Sequence, residues 1–224
     1  KISDTLIRII NLIREYNPSF LKNNGSDISS NLTFDKNWGL GTSSTLISNL
    51  ATLSGVDPYI LNNKIFMGSG YDIACTNSIS PIVYQLNKGQ RIIKEVSFKP
   101  SFHENIYFIY LNKKQNSISE IENYTNKKVS ESTINEISDI TSMVLQCSSL
   151  EAYNKLIESH ELILSKLISK PTIKETLFKD FKGSIKSLGA WGGDMIMVSC
   201  HSDPSKYFKD KGYSTIFKFE ELLV

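Results

Sequence analysis

Three glycine-centred turns constrain this chain more than any other feature, because each falls where one run of apolar periodicity stops and another begins. They are Trp38-Gly39-Leu40-Gly41, Gly68-Ser69-Gly70 and Gly189-Ala190-Trp191-Gly192-Gly193. Glycine lets the backbone turn tightly and lets a ligand approach it closely. The first turn opens Thr42-Ser43-Ser44, followed by Leu46, Ile47, Leu50, Ala51 and Leu53. That spacing predicts an amphipathic helix, with hydroxyls capping its start and Gly55 just past its end. The second turn runs into Tyr71-Asp72-Ile73-Ala74, and the third ends on Asp194 between two strand-like runs, 184–188 and Met195 to Ser199.

The rest of the chain is read around these turns. Ile2, Leu6, Ile9, Ile10 and Ile13 form one stripe of a helix over 1–16, ended by Asn17-Pro18. A helix is expected from Pro58 to about Met67. Ser80–Leu86 and Ile92–Phe98 read as strands joined by Asn87-Lys88-Gly89. Pro100 to Glu104 reads as a boundary, and the pattern restarts with Ile106–Leu111 as a strand. Helices are expected near 117–126, 131–147 and 149–168, with Pro171 breaking the run. Then come a helix over 172–181, the two strands around the third turn, a short helix from Pro204 to Lys211 and a strand from Thr215 to Phe219. The fold class is α+β, in two subdomains joined near residue 100.

Composition excludes several classes of function. The 224 residues carry 25 Lys and Arg against 23 Asp and Glu. A net charge of +2 argues against a nucleic-acid binder. No apolar run approaches the roughly 18 residues that a membrane span needs. Cys75, Cys147 and Cys200 are scattered and without CxxC spacing, which argues against a zinc site or a disulfide framework and for reduced thiols in the cytoplasm.

Each turn can do chemistry, and each also has a plain structural reading. At 39–44, unpaired N–H groups and a partial positive charge at a helix start make a phosphate cradle, and a hydroxyl in the first turn can reach Mg²⁺. The plain alternative is an ordinary capped helix. No Gly-Lys-Ser/Thr follows, so this is not a Walker A loop. Asp72, just past a glycine pair, can accept a proton from a substrate hydroxyl or stand near a metal. The alternative is an aspartate closing a turn. The third turn alone reads as a β-turn. Three such turns, each beside hydroxyls or a carboxylate, point to a site for an anionic ligand.

Taken in order, the three segments resemble the motifs of the GHMP small-molecule kinases, the superfamily of galactokinase, homoserine kinase, mevalonate kinase and phosphomevalonate kinase. Trp38-Gly39-Leu40-Gly41-Thr42-Ser43-Ser44-Thr45 resembles the family's phosphate loop, Pro-x-x-Gly-Leu-Gly-Ser-Ser-Ala-Ala. Gly68-Ser69-Gly70-Tyr71-Asp72-Ile73-Ala74 and Gly189-Ala190-Trp191-Gly192-Gly193-Asp194 are similar to the family's later motifs in their phosphomevalonate-kinase forms. The chain also resembles a bacterial group of GHMP proteins named after a Gly-Tyr-Asp-Ile-Ala motif. The resemblance spans about residues 1–224. It implies a two-domain fold: 1–102 as the remainder of a ribosomal-protein-S5-like ATP-binding domain, whose N-terminal strands would precede Lys1, and 103–224 as a ferredoxin-like domain.

The resemblance also implies roles. ATP and Mg²⁺ would be the cofactors, with Gly39, Leu40, Gly41, Thr42, Ser43 and Ser44 holding phosphates and the Ser43 hydroxyl on the metal. Asp72 would be the catalytic base. Lys114, Ser117, Gly189, Gly192 and Gly193 would face a small-molecule acceptor. His160 lies on a helix similar to one lining the family's substrate pocket, although a partly buried structural histidine is the plainer reading. Lys182 and Lys186 could attract phosphate, although paired lysines near a strand are usually exposed. The expected activity is transfer of the ATP γ-phosphoryl group to a hydroxyl or phosphate of a metabolite, mevalonate or phosphomevalonate first. The partner is that acceptor, with no nucleic acid and no membrane, and the sequence sets no oligomeric state. A non-catalytic nucleotide- or metabolite-binding homologue is the alternative. It is motivated by Trp191 in a glycine position and by the lack of a counterpart to the family's metal-binding glutamate.

Overall fold

The computed structural model describes residues 2–22, 26–114, 124, 127, 129–189, 191 and 194–222. Contacts divide the chain into two units. Residues 1–36 and 41–97 form the first, and 37–40 with 98–224 form the second. The break after Ser97 comes a few residues before the expected join at 102/103. The segment 37–40, placed by the sequence reading in the first domain, packs with the second.

The first unit holds four helices and a hairpin. Helix α1 spans Ile2–Tyr16. Its buried side chains are Ile9, Leu12 and Ile13, while Ile2 and Leu6 are exposed, so only the C-terminal half of the predicted stripe reaches the core. Asn17 Nδ2 donates to Ser54 O at 2.9 Å and ties the end of α1 to the end of α2 (Thr42–Ser54). Helix α2 buries Ile47, Leu50, Ala51 and Ser54, an i, i+3, i+4, i+7 stripe. Leu53, expected inside, lies off that stripe and is exposed. Gly55 ends the helix in the left-handed region, as expected.

Helix α3 spans Pro58–Phe66, with the Asp57 side chain accepting from Tyr59 N at 2.8 Å, and α4 spans Tyr71–Thr76. Ile9, Ile13, Ile47, Leu61 and Ile73 are wholly buried where the four helices meet, each contributing about 1.5–3 kcal/mol by burial. Strands β1 (Ile82–Asn87) and β2 (Gln90–Glu95) pair antiparallel, joined by Lys88 and Gly89, both at positive φ. That turn matches the right-handed twist of the strands.

The second unit is built on a four-stranded antiparallel sheet in the order β4-β5-β3-β6. The strands are β3 (Ile106–Tyr110), β4 (Ser184–Leu188), β5 (Met195–Ser199) and β6 (Ile216–Lys218). Both faces are covered, which explains the unbroken apolar run of β3. Tyr107, Ile109, Ile185, Ile196 and Val198 pack on one face with Ile173, Phe178, Phe181 and Phe208. Ile106, Phe108 and Met195 pack on the other with Leu150, Tyr153 and Ile157.

Helices α5 (Glu131–Leu145) and α6 (Leu150–Ile168) fall where their periodicity put them, each capped by a serine, Ser130 and Ser149. Helix α7 covers only Ile173–Leu177, shorter than the expected 172–181, because Phe178 leaves the helix and joins the core. Helix α8 is Ser205–Asp210. The last strand is also shorter than expected, since Phe219–Leu222 turns into helix α9. The helix expected near 117–126 lies outside the described residues, apart from Tyr124. Among the described residues no helix is long and apolar enough to cross a membrane.

Candidate functional site

The first glycine turn divides between the units, with Asn37–Leu40 in the second and Gly41 onward in the first. Gly39 and Gly41 both stand at φ 73°, the left-handed region that side chains disfavour. Gly41 is itself the cap residue of α2, with no side-chain cap on the helix start. This corrects the expectation that hydroxyls cap it. The Thr45 hydroxyl instead donates backward to Gly41 O at 3.2 Å. The backbone N–H groups of the first turn, through Thr42, Ser43 and Ser44, therefore start a 13-residue helix with no cap side chain over them. Ser43 is exposed and Ser44 is buried, so of this pair the Ser43 hydroxyl is the one open to a ligand.

The second turn is clamped from two sides within the first unit. Gly70, at φ 91°, has no room for a side chain, since a Cβ there would stand 2.9 Å from the Tyr59 ring. The Arg91 guanidinium lies 4.3 Å from the Tyr59 ring centroid, and its Nε would stand 3.4 Å from the same Cβ. Tyr84 Oη donates to Ser69 O at 2.6 Å. The hairpin thus fixes the turn that starts α4. Ser48 and Thr76 hydroxyls, 2.6 Å apart, join α4 to α2. Asp72 sits in the first turn of α4, half-buried. Burial raises its carboxyl above the ordinary range, opposed by a hydrogen bond from Tyr71. The Tyr71 hydroxyl is pushed up by burial and by the Asp72 charge.

Gly189 and Asp194, which flank the third turn, meet Gly39 of the first. A Cβ on Gly189 would lie 3.7 Å from Asp194 Oδ2 and 3.9 Å from Gly39 O, all within the second unit. Asp194 is buried, and its carbonyl accepts from Leu111 N at 2.9 Å. The Trp191 indole N–H is buried with no hydrogen-bond partner among the described residues. Gly192, Gly193 and Ser117 lie outside the described residues. Lys114 is exposed on the segment that follows β3.

A buried ionic cluster escaped the sequence reading. Lys186, expected at the surface, is largely enclosed. Its Nζ stands 3.2 Å from His160 Nδ1 and 3.5 Å from Glu161 Oε1. Burial lowers the Lys186 ammonium below the ordinary lysine range, with the Glu161 charge opposing. Glu161 Oε2 accepts from Ser187 N at 3.1 Å and pins α6 to β4 just before the third turn. The available signal was Glu161 itself, which follows Ile157 by four residues on the apolar face of α6.

No metal-sized cluster of three or more His, Cys, Asp or Glu occurs among the described residues. Mg²⁺ is usually held by few protein groups together with water and substrate phosphates, and the exposed Ser43 hydroxyl suits such a role.

No family model and no curated protein match the sequence. Among solved structures, the chain is similar to the mevalonate kinase of L. major, crystallised in complex with R-mevalonate. The TM-score is 0.57 at 14% identity, over 96% of this chain and 76% of that one. The likeness is one of fold. It supports an α+β architecture like that kinase's and does not reach the narrower bacterial motif group.

Proposed function

We propose that this protein is a GHMP-type metabolite kinase, dependent on ATP and Mg²⁺. One observation carries the reading: a helix start with no side-chain cap, led in by two left-handed glycines, in a chain that shares its fold with a mevalonate kinase. In this reading residues 1–102 are the S5-like ATP-binding part and 103–224 the ferredoxin-like part. The N–H groups from Gly39 through Leu40, Gly41, Thr42 and Ser43 to Ser44 cradle the phosphates. The Ser43 hydroxyl holds the metal, which supplies charge neutralisation at the phosphates. Asp72 takes the proton from an acceptor hydroxyl. Its raised carboxyl brings it nearer the working pH, where a general base is most effective. Gly189, Gly192, Gly193, Lys114 and Ser117 face the acceptor. Mevalonate and phosphomevalonate are the first candidates, and the enzyme acts in the cytoplasm without nucleic acid or membrane.

A second reading, a non-catalytic nucleotide or metabolite binder, draws on Trp191, which stands where the third motif has glycine and whose indole N–H is buried. One assay separates the two. ADP release is followed with Mg²⁺-ATP and either mevalonate or phosphomevalonate. The kinase reading expects acceptor-dependent ADP with one of them. A nucleotide-induced thermal shift without ADP release from either would favour the binder.

A further inference from the structure

We propose that Asp194 is a positioning residue that locks the phosphate loop against the third glycine turn, so that nucleotide affinity depends on it. The inference rests on the kinase reading for the word nucleotide, and on geometry within the second unit for the lock itself. A Cβ on Gly39 would lie 2.5 Å from Asp194 Cβ, 2.8 Å from Cγ and 2.9 Å from Oδ2. The Gly39 backbone thus lies directly on the Asp194 side chain, closer than any other residue type could come. The same carboxylate oxygen neighbours Gly189, whose own Cβ would meet Oδ2 at 3.7 Å and Gly39 O at 3.9 Å. Asp194 is 4% exposed, although Gly39 itself is open to solvent.

The residues flanking Gly39 are fastened to the same unit. The Trp38 ring meets Phe217 edge-on with centroids 4.7 Å apart, and Trp38 and Leu40 both pack on the Phe102–Phe108–Tyr153 cluster. Trp38 and Leu40 supply apolar attachment, and Asp194 sets how closely the glycine between them approaches β5. The backbone of 37–40 then leads straight into Gly41 and the helix start that would hold phosphate. Because phosphate binding by backbone N–H groups depends on their direction, a loop that shifts loses affinity without losing any side-chain ligand. The residue acts through Gly39, so it positions and does not catalyse.

The test uses the full chain with Trp191→Phe as background, which leaves Trp38 as the single indole. Asp194→Gly removes the wedge from one side, and Gly39→Ala forces the two apart from the other. Gly41→Ala is the control for backbone strain, since Gly41 has the same φ but nothing within 4 Å of its Cβ. Acrylamide quenching of Trp38 reads the loop, calorimetric titration with Mg²⁺-ADP reads affinity, and circular dichroism checks the fold. The lock predicts at least a twofold rise in Trp38 quenching for Asp194→Gly and for Gly39→Ala, none for Gly41→Ala, and Mg²⁺-ADP binding weakened tenfold or more by the first two. The combined Gly39→Ala/Asp194→Gly variant is no worse than the weaker-binding single variant. Unchanged quenching in folded Asp194→Gly and Gly39→Ala overturns the lock. Raised quenching with unchanged Mg²⁺-ADP affinity overturns its role in nucleotide binding. A parent protein that binds no Mg²⁺-ADP while Trp38 still responds overturns the nucleotide reading and leaves the lock standing.

Discussion

Asp72 carries opposite consequences for activity and for stability. Burial raises its carboxyl, so the folded state holds the proton to a higher pH than the unfolded chain does. As pH rises through that interval the folded state must ionise a group it disfavours, and stability falls. At neutral pH the ionised Asp72 is therefore a cost to the fold. Asp72→Asn removes that cost and, in the kinase reading, removes the base as well. We expect turnover to drop by about 10²–10⁴-fold, with a melting temperature equal to or above that of the parent, read by steady-state kinetics and thermal denaturation. The acid limb of kcat/KM in the parent should titrate above the ordinary carboxylate range. A limb at the ordinary value would remove Asp72 as its source. The buried cluster behaves differently. Lys186→Met strands the Glu161 carboxylate, 3% exposed, without its countercharge and should cost about 3–5 kcal/mol. Lys186→Met with Glu161→Leu should recover most of that in urea denaturation. Asp72 drew notice in the sequence because a carboxylate beside a glycine pair stands out, and the structure places it in the first turn of α4. The burial of Lys186 was not legible, because a lysine on a strand is exposed unless a partner from a distant helix arrives, and 25 residues separate it from Glu161.

At the scale of elements, legibility followed local punctuation. Helix α2 was read nearly residue for residue because Gly41 and Gly55 bracket it, both in the left-handed region. The hairpin was legible from Lys88-Gly89, and α3 from Asp57-Pro58. Elements ended by tertiary contacts were misread. Helix α7 stops where Phe178 turns into the core, and β6 gives way to α9 at Phe219, with no glycine or proline at either end. The first turn shows why a motif can be read while its mechanics are not. Gly39 and Gly41 look equivalent in sequence and share φ 73°, yet only Gly39 lies against another side chain. Gly41→Ala should cost about 1–2 kcal/mol, the left-handed penalty alone. Gly39→Ala should cost that plus an overpacking term of about 1–3 kcal/mol. Equal costs in urea denaturation would mean that the Asp194 contact is not tight.

At the scale of the whole molecule, the fold persists where the sequence no longer resembles its structural neighbour. Cores tolerate broad apolar exchange when volume and pattern are kept, so 14% identity is compatible with alignment over 96% of the chain. The glycine turns of this chain are constrained for another reason: left-handed backbone and close approach admit almost no other residue. Such constraint lets three short segments point to an architecture although no family model matches the sequence. The distribution of labour between catalysis and binding was not legible, because Trp191 and Asp194 take their environment from residues distant in sequence. Ligand linkage tests that distribution. A ligand at a hundred times its Kd stabilises the state it binds by about 2.7 kcal/mol. For a chain of this length that corresponds to about 5–11 °C in melting temperature. In the kinase reading, Mg²⁺-ATP at that excess should raise the melting temperature by this amount in both the parent and Asp72→Asn, because backbone N–H groups, and not the carboxylate, would hold the phosphates. A shift lost in Asp72→Asn would make Asp72 a nucleotide or metal ligand and not a base. A full shift in both proteins, with acceptor-dependent ADP from the parent alone, assigns it to the proton.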